Sequence, residues 1–291
     1  MIKLPDRLIR ATKSGRLVPF VGAGISKKAM HGLFPSWSEL MYEMVDLAQK
    51  EGGITSGEQR ELIRLLKDGK LTVVADVVKR VLQEETFDRY LDRRFNYSDL
   101  SKANLDTQVL LLKISSRLIV TTNYDHLLED AFARHFRRSP MVATFREAYS
   151  VQNATQDYNA DTYPLIFKVH GDVRVKDSLI LSDRDYRSLL YDHQTYGSVI
   201  TSIFMNSTML FVGFSLSDRE IMSHLERVRH RLNYVSQSHF ALVPKGSVTN
   251  TELRFFKEAF GVESIEFDAA NGYDEIDRIL GKLVRERGKA T

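Results

Sequence analysis

The sequence contains no cysteine, which excludes disulfide bridges and every thiolate-ligated metal centre. Its eight histidines are scattered, with no His-Glu-x-x-His or similar pair at ligand spacing, so no metal is expected. No stretch reaches the roughly 18 uninterrupted apolar residues of a membrane span. The opening Met1-Ile2-Lys3-Leu4-Pro5-Asp6 has no apolar signal region, and a cytoplasmic protein without a membrane partner is expected. An excess of one charge is missing too, since 41 basic and 38 acidic residues leave a net charge of +3. The local basic clusters at Arg134-His135-Phe136-Arg137-Arg138 and at 227–231 fit solvated helix faces, and direct binding of nucleic acid is not expected. Internal repeats and low-complexity linkers are also absent.

What is present is a set of short apolar runs that each close on small or polar residues. The first, 17–21, ends at Gly22-Ala23-Gly24-Ile25-Ser26. Glycine lacks a Cβ and lets the backbone approach a pyrophosphate, and a following helix offers unpaired N–H groups, so this turn reads either as a dinucleotide phosphate loop or as a plain tight turn. Pro19 removes a backbone donor from the run, which requires a position at the strand's start or one where its nitrogen needs no partner. Three later runs end in the same manner, at Thr121-Thr122-Asn123-Tyr124-Asp125, at Lys168-Val169-His170-Gly171-Asp172 and at Phe211-Val212-Gly213-Phe214-Ser215.

At 43% hydrophobic content over 291 residues, the chain can bury a substantial core. Between the first run and the second at 118–121, apolar residues recur at helical spacing, as in Leu62-Ile63 with Leu65-Leu66 and Val73-Val74 with Val77-Val78. Ser36 and Glu39 form a capping-box pair ahead of this block. Residues 36–105 are therefore expected to be an all-helical insertion within a single domain spanning 1–291. From Leu118 onward, short runs at 118–120, 165–169, 209–212 and 240–243 alternate with helical stretches at 126–136, 183–191 and 217–233. A last strand at 262–267 and a closing helix at 273–287 follow. This alternation predicts an α/β, Rossmann-like parallel sheet with helices on both faces. The polar segment 150–162 reads as a surface loop.

Open parallel sheets bind ligands at the carboxyl ends of their strands, so the four turns can converge on one cleft. Their order, Gly-Ala-Gly-x-Ser, then Thr-x-Asn-x-Asp, then His-Gly, then Gly-x-Ser, resembles the sirtuin (silent information regulator) family of NAD-dependent enzymes, and within it the bacterial branch that hydrolyses NAD in phage defence. The resemblance runs from Leu17 to about Phe267. It implies that Gly22, Ala23, Gly24 and Ser26 line the pyrophosphate, that Asn123 serves as a catalytic polar residue beside the nicotinamide-side ribose, and that Asp125 orients the nicotinamide carboxamide. It also implies that His170 is the catalytic histidine and that Gly213 and Ser215 approach the adenosine half. Acyl-lysine-directed members carry a four-cysteine zinc module, which this chain cannot build.

The activity implied is an NAD glycohydrolase, with NAD as substrate and no metal, that depletes NAD in abortive infection. Such an enzyme must be held off until triggered, which implies control by homo-oligomer assembly or by a separate regulatory protein such as a HerA-type ATPase. Two alternatives are an NAD-dependent protein deacylase and a non-catalytic scaffold that senses NAD or ADP-ribose. A dehydrogenase fits poorly, because Lys27 stands where G-x-G-x-x-G requires its third glycine. Each residue also has a structural reading. Asn123 and Asp125 can cap the helix that follows, and His170 can sit in a turn. Asp172 and Asp218 read as turn or cap residues, Trp37 as packing, and Lys168 leaves its direction open.

Overall fold

Residues 3–30, 33–95, 100–115, 117–156, 164–233, 238–270 and 273–289 are described by a computed structural model. The strands are β1 (Leu17–Val21), β2 (Leu118–Thr121), β3 (Val142–Thr144), β4 (Leu165–Lys168), β5 (Thr208–Val212), β6 (His239–Pro244) and β7 (Val262–Phe267). They form one seven-stranded sheet in the order β3-β4-β2-β1-β5-β6-β7, and every pairing is parallel. Period-two alternation divides the core between the two faces. Leu17 and Val21 of β1, Ile119 of β2 and Leu210 and Val212 of β5 join one apolar cluster, while Val18, Phe20, Val120, Met209 and Phe211 join the other. Both faces are dry, as a parallel sheet requires, and the sheet is covered by helices on each side.

The first face carries α1 (Asp6–Lys13), α2 (Ala23–Ala29), α7 (Asp106–Ile114), α8 (Leu127–Phe136) and α14 (Asp274–Gly288). Joined to the same cluster are α3 (Trp37–Lys50), α4 (Ser56–Lys67), α5 (Leu71–Val81) and α6 (Glu84–Phe95), which lie between β1 and β2 in the chain. Among the described residues of 36–105 there is no strand. The expected capping box opens α3, with the Ser36 N–H donating to Glu39 Oε2 at 2.7 Å and the Glu39 N–H donating to Ser36 Oγ at 3.3 Å. The opposite face is covered by α9 (Ala148–Gln156), α10 (Asp183–Tyr191), α11 (Gln194–Asn206), α12 (Arg219–Arg231) and α13 (Asn250–Phe260).

Pro19 lies within β1, a central strand, and the local register explains why it is tolerated. The Gly22 N–H donates to the Val212 carbonyl and the Arg16 carbonyl accepts from Thr208, so the even-numbered residues of β1 face β5. Pro19 therefore faces β2, where the pairing begins only at Phe20 opposite Val120. The Leu118 carbonyl on that side accepts from the Ser115 hydroxyl at 2.6 Å, so the missing donor leaves no orphaned acceptor there.

The expected loop at 150–162 is corrected in its first part. Residues through Gln156 belong to α9, and 157–162 lie outside the described residues. The helix is anchored by the small apolar residues Ala148 and Val151, which are buried, while Tyr149 is exposed. So few apolar positions in a polar stretch give too weak a helical period to read.

Candidate active site

The connections that leave β1 and β5 depart to opposite faces of the sheet, since Ile25 of α2 packs in one cluster and Ile221 of α12 in the other. A crevice opens between such strands at their carboxyl ends. Three glycines bring its two walls together. A Cβ on Gly22 would lie 2.4 Å from the Gly213 carbonyl oxygen, and one on Gly213 would lie 2.7 Å from the Ile25 nitrogen. Gly213 also has a φ of +66°, a conformation that disfavours side chains. The Gly24 N–H donates to the Gly213 carbonyl at 3.0 Å. Glycine is thus demanded here by the contact between the β1 and β5 turns themselves, and one donor at the start of α2 is already used.

The β1 and β2 turns are joined through Ser26. Its hydroxyl donates to Asp125 Oδ2 at 2.6 Å and accepts from Asn123 Nδ2 at 3.0 Å. Asn123 Nδ2 also donates to the Gly22 carbonyl at 3.2 Å. Asp125 Oδ1 accepts from the Leu127 N–H at 3.1 Å, so Asp125 holds the turn that leads into α8 and Ser26 at once, while the N-cap position of that helix is His126. With both groups on its amide nitrogen, Asn123 keeps its orientation, and its buried Oδ1 has no protein partner.

His170 follows β4 and is 4% exposed. Its ring stands edge-on to Tyr186 of α10, with centroids 5.4 Å apart at 84°. Its Nε2 lies 3.6 Å from Asp218 Oδ2. Asp218 caps α12 as its sequence position indicated, accepting the Ile221 N–H at 3.0 Å. It also accepts the Tyr186 hydroxyl at 2.9 Å. Burial first, then the Asp218 charge, pushes the Tyr186 phenol well above its ordinary range. The phenol is therefore a standing donor.

Beneath these groups Lys168 is fully buried, pointing into the interior on the side of the β2 turn. Its ammonium donates to the Asp125 carbonyl at 2.7 Å and the Tyr124 carbonyl at 3.2 Å. It pairs with Glu129 at 3.0 Å and Asp172 at 2.9 Å. Burial opposes its charge, but the Glu129 and Asp172 carboxylates outweigh that cost and raise its pKa. Burial likewise opposes ionisation of Asp172, and the hydrogen bond to His126 and the charge of Lys168 overcome it and hold the carboxyl well below the usual range. His126, Glu129 and Asp172 have the composition of a metal site, but the cation among them is Lys168. A second such group, His170, Asp218 and Glu220, has Glu220 Oε2 accepting the Tyr196 hydroxyl at 3.1 Å and Glu220 Oε1 lying 2.9 Å from His224 Nε2.

These walls enclose a cavity of about 230 Å³ lined by Ala23, Gly24, Ser26, Asn123, Asp125, His170, Gly213 and Ser215. Gly22, whose carbonyl is held by Asn123, lies behind this lining. The helical block supplies the outer wall through Trp37, Leu40 and Phe95. At its rim Lys27 pairs with Glu39 at 2.8 Å, and that hydrogen bond, with the Ser36 N–H, pushes the Glu39 carboxyl down to about 2. Sequence reasoning missed Lys168, Tyr186, Asp218, Trp37 and Phe95 as parts of this region. Their partners are remote in the chain, and only the position of Lys168 two residues before His170 offered a signal.

Residues 117–265, just over half of the chain, match the family described as SIR2-like domain. The chain is 26% identical to the NAD(+) hydrolase ThsA of Enterococcus faecium in an alignment covering 98% of this chain and 58% of that protein. It is 24% identical to the ThsA of Bacillus cereus (strain MSX-D12), covering 91% of this chain and 53% of that protein. It is also 24% identical to Defense-associated sirtuin 2 of Bacillus subtilis, covering 96% of this chain and 26% of that protein. The chain thus spans at most about 58% of the length of these curated relatives. With the family match extending over more than half of its length, this chain belongs to the SIR2-like family.

Proposed function

We propose that the chain cleaves NAD to nicotinamide and ADP-ribose in this cleft, as the effector of a phage-defence system that depletes NAD. The observation that carries the reading is the state of Asn123. Its amide nitrogen is pinned by Ser26 and Gly22, while its buried Oδ1 has no protein partner in a cavity also lined by His170. A buried acceptor without a partner is costly unless a ligand or water satisfies it. The relatives named NAD(+) hydrolase give the reading its substrate.

The chemistry asks little of the protein. Nicotinamide leaves as a neutral ring from a cationic pyridinium, so the leaving group needs no acid. What helps is a held ribose, a dry pocket and an acceptor for a proton. Asn123 positions the ribose or the attacking water, and His170 accepts a proton from that water or through a ribose hydroxyl. In this reading the turns at 22–26 and 213–215 border the pyrophosphate and the adenosine half, and Asp125 faces the carboxamide end while its hydrogen bonds to Ser26 and the Leu127 N–H hold it. Residues 36–105 act as an insertion that walls the cleft. Activity in the cytoplasm is held off by homo-oligomer assembly or by a separate regulatory protein such as a HerA-type ATPase.

Purified protein incubated with NAD should release nicotinamide without any acyl-lysine peptide, and Asn123→Ala and His170→Ala should lower the rate by about a hundredfold or more. Release that requires an acyl peptide and yields O-acyl-ADP-ribose would instead establish a deacylase. Tight NAD binding with no turnover would establish a sensor.

A further inference from the structure

We propose that Asp218, held in place by Tyr186, is a positioning residue for His170. It fixes the neutral imidazole with its proton on Nε2, so that Nδ1 is the nitrogen that takes the proton during turnover. The catalytic part of this inference rests on the NAD-cleavage reading above; the placement of the ring proton does not.

His170 Nε2 is sealed from solvent and has no hydrogen-bond partner. A buried ring nitrogen needs a complementary group, and Asp218 Oδ2 stands 3.6 Å from Nε2. The nearby Glu220 carboxylate accepts the Tyr196 hydroxyl through Oε2 at 3.1 Å and faces His224 Nε2 through Oε1 at 2.9 Å. The Asp218 carboxylate does not drift, because its Oδ1 accepts the Ile221 N–H and its Oδ2 accepts the Tyr186 hydroxyl. Tyr186 also packs edge-on against the His170 ring, so one side chain aligns both members of the pair. The turn that delivers Asp218 includes Leu216 at a φ of +56°. A side chain held in that region is strained and persists only where its surroundings over-determine it.

A carboxylate opposite Nε2–H fixes the tautomer and stabilises the imidazolium formed at the moment of reaction. The step balances without another reagent. The glycosidic bond breaks and its electron pair stays on the nicotinamide nitrogen, water oxygen bonds to the ribose carbon, and one water proton passes to Nδ1 and then to solvent. The positive charge on the ring during that interval faces Asp218.

Asp218→Asn is the discriminating variant. Asparagine caps a helix about as well as aspartate, so α12 is retained while the charge is lost. In the full chain the account predicts that kcat for nicotinamide release falls by about tenfold to a hundredfold with KM little changed, because the group acts through the base and not on substrate binding. Tyr186→Phe should lower kcat in the same direction and more weakly. Nitrogen-15 NMR of the His170 ring, which needs no activity, should show the Nε2–H tautomer in the parent protein and loss of that preference in Asp218→Asn. An unchanged kcat, a change confined to KM, or an Nδ1–H ring in the parent would overturn the proposal and leave Asp218 as a helix cap. If the parent released no nicotinamide at all, the NAD reading would fail, and the NMR result would still decide how the ring is held.

Discussion

Replacing Lys168 with methionine would keep most of the side chain's volume and remove the one buried ammonium that Glu129 and Asp172 share. Breaking a buried pair by removing one member leaves an uncompensated charge, at a cost of about 3–5 kcal/mol. The Tyr124 and Asp125 carbonyls would lose their donor in the same step. Lys168→Met is therefore expected to lower the urea midpoint strongly, and its effect should be non-additive with Asp172→Asn, because the second change removes one of the charges that the first strands. A near-additive, small loss would show that the network contributes little. The same four groups mark where reading by residue type stops. Residues 126, 129, 168 and 172 come from two separate turns, a helix and the end of β4, and nothing in their spacing shows that Lys168 serves both carboxylates while His126 joins Asp172.

At the scale of elements, the β1 and β5 turns work as one piece. Gly213→Ala places a Cβ 2.7 Å from the Ile25 nitrogen at a φ of +66°, and is expected to cost about 1–3 kcal/mol. Chemical denaturation checks this, and a neutral substitution would mean that the two turns separate easily. Neighbouring β6 supplies a pH dependence. His239 Nδ1 accepts the Met209 N–H at 3.1 Å, and burial, then the Arg229 charge, pushes the ring from 6.5 down to about 4. Because the folded value is depressed, the unfolded chain takes up the proton first. This contribution is complete above pH 6.5 and is lost as pH falls towards 4. The loss is on the order of 3 kcal/mol. Denaturation midpoints measured across that window should show a slope that His239→Asn, which keeps an acceptor for Met209, makes shallower. An equal slope in both proteins would count against the assignment. Legibility also varied by element. The strands ending at Val21, Thr121 and Val212 stood out because both faces of the sheet are buried, which makes them continuous apolar runs. β3, with three residues, and α9, with its two small buried anchors, lacked enough periodic positions to be seen.

For the whole molecule, one sheet carries turns from four strands to a single cleft, and the helical block between β1 and β2 closes its outer side with Trp37, Leu40 and Phe95. That convergence was legible, because the rule that ligands gather at the carboxyl ends of parallel strands needs only strand order and the residues at each end. How the cleft is wired was not, since Tyr186 and Asp218 meet across 32 positions of sequence. Among the described residues no helix is long and apolar enough to cross a membrane. The most direct measurement is nicotinamide release from NAD by the purified chain, with its assembly state determined on the same sample and with Asn123→Ala and His170→Ala in parallel. Stoichiometric nicotinamide and ADP-ribose from the parent, with both variants slowed by about a hundredfold or more, is the expected result. Undiminished turnover in both variants would contradict cleavage at this cleft.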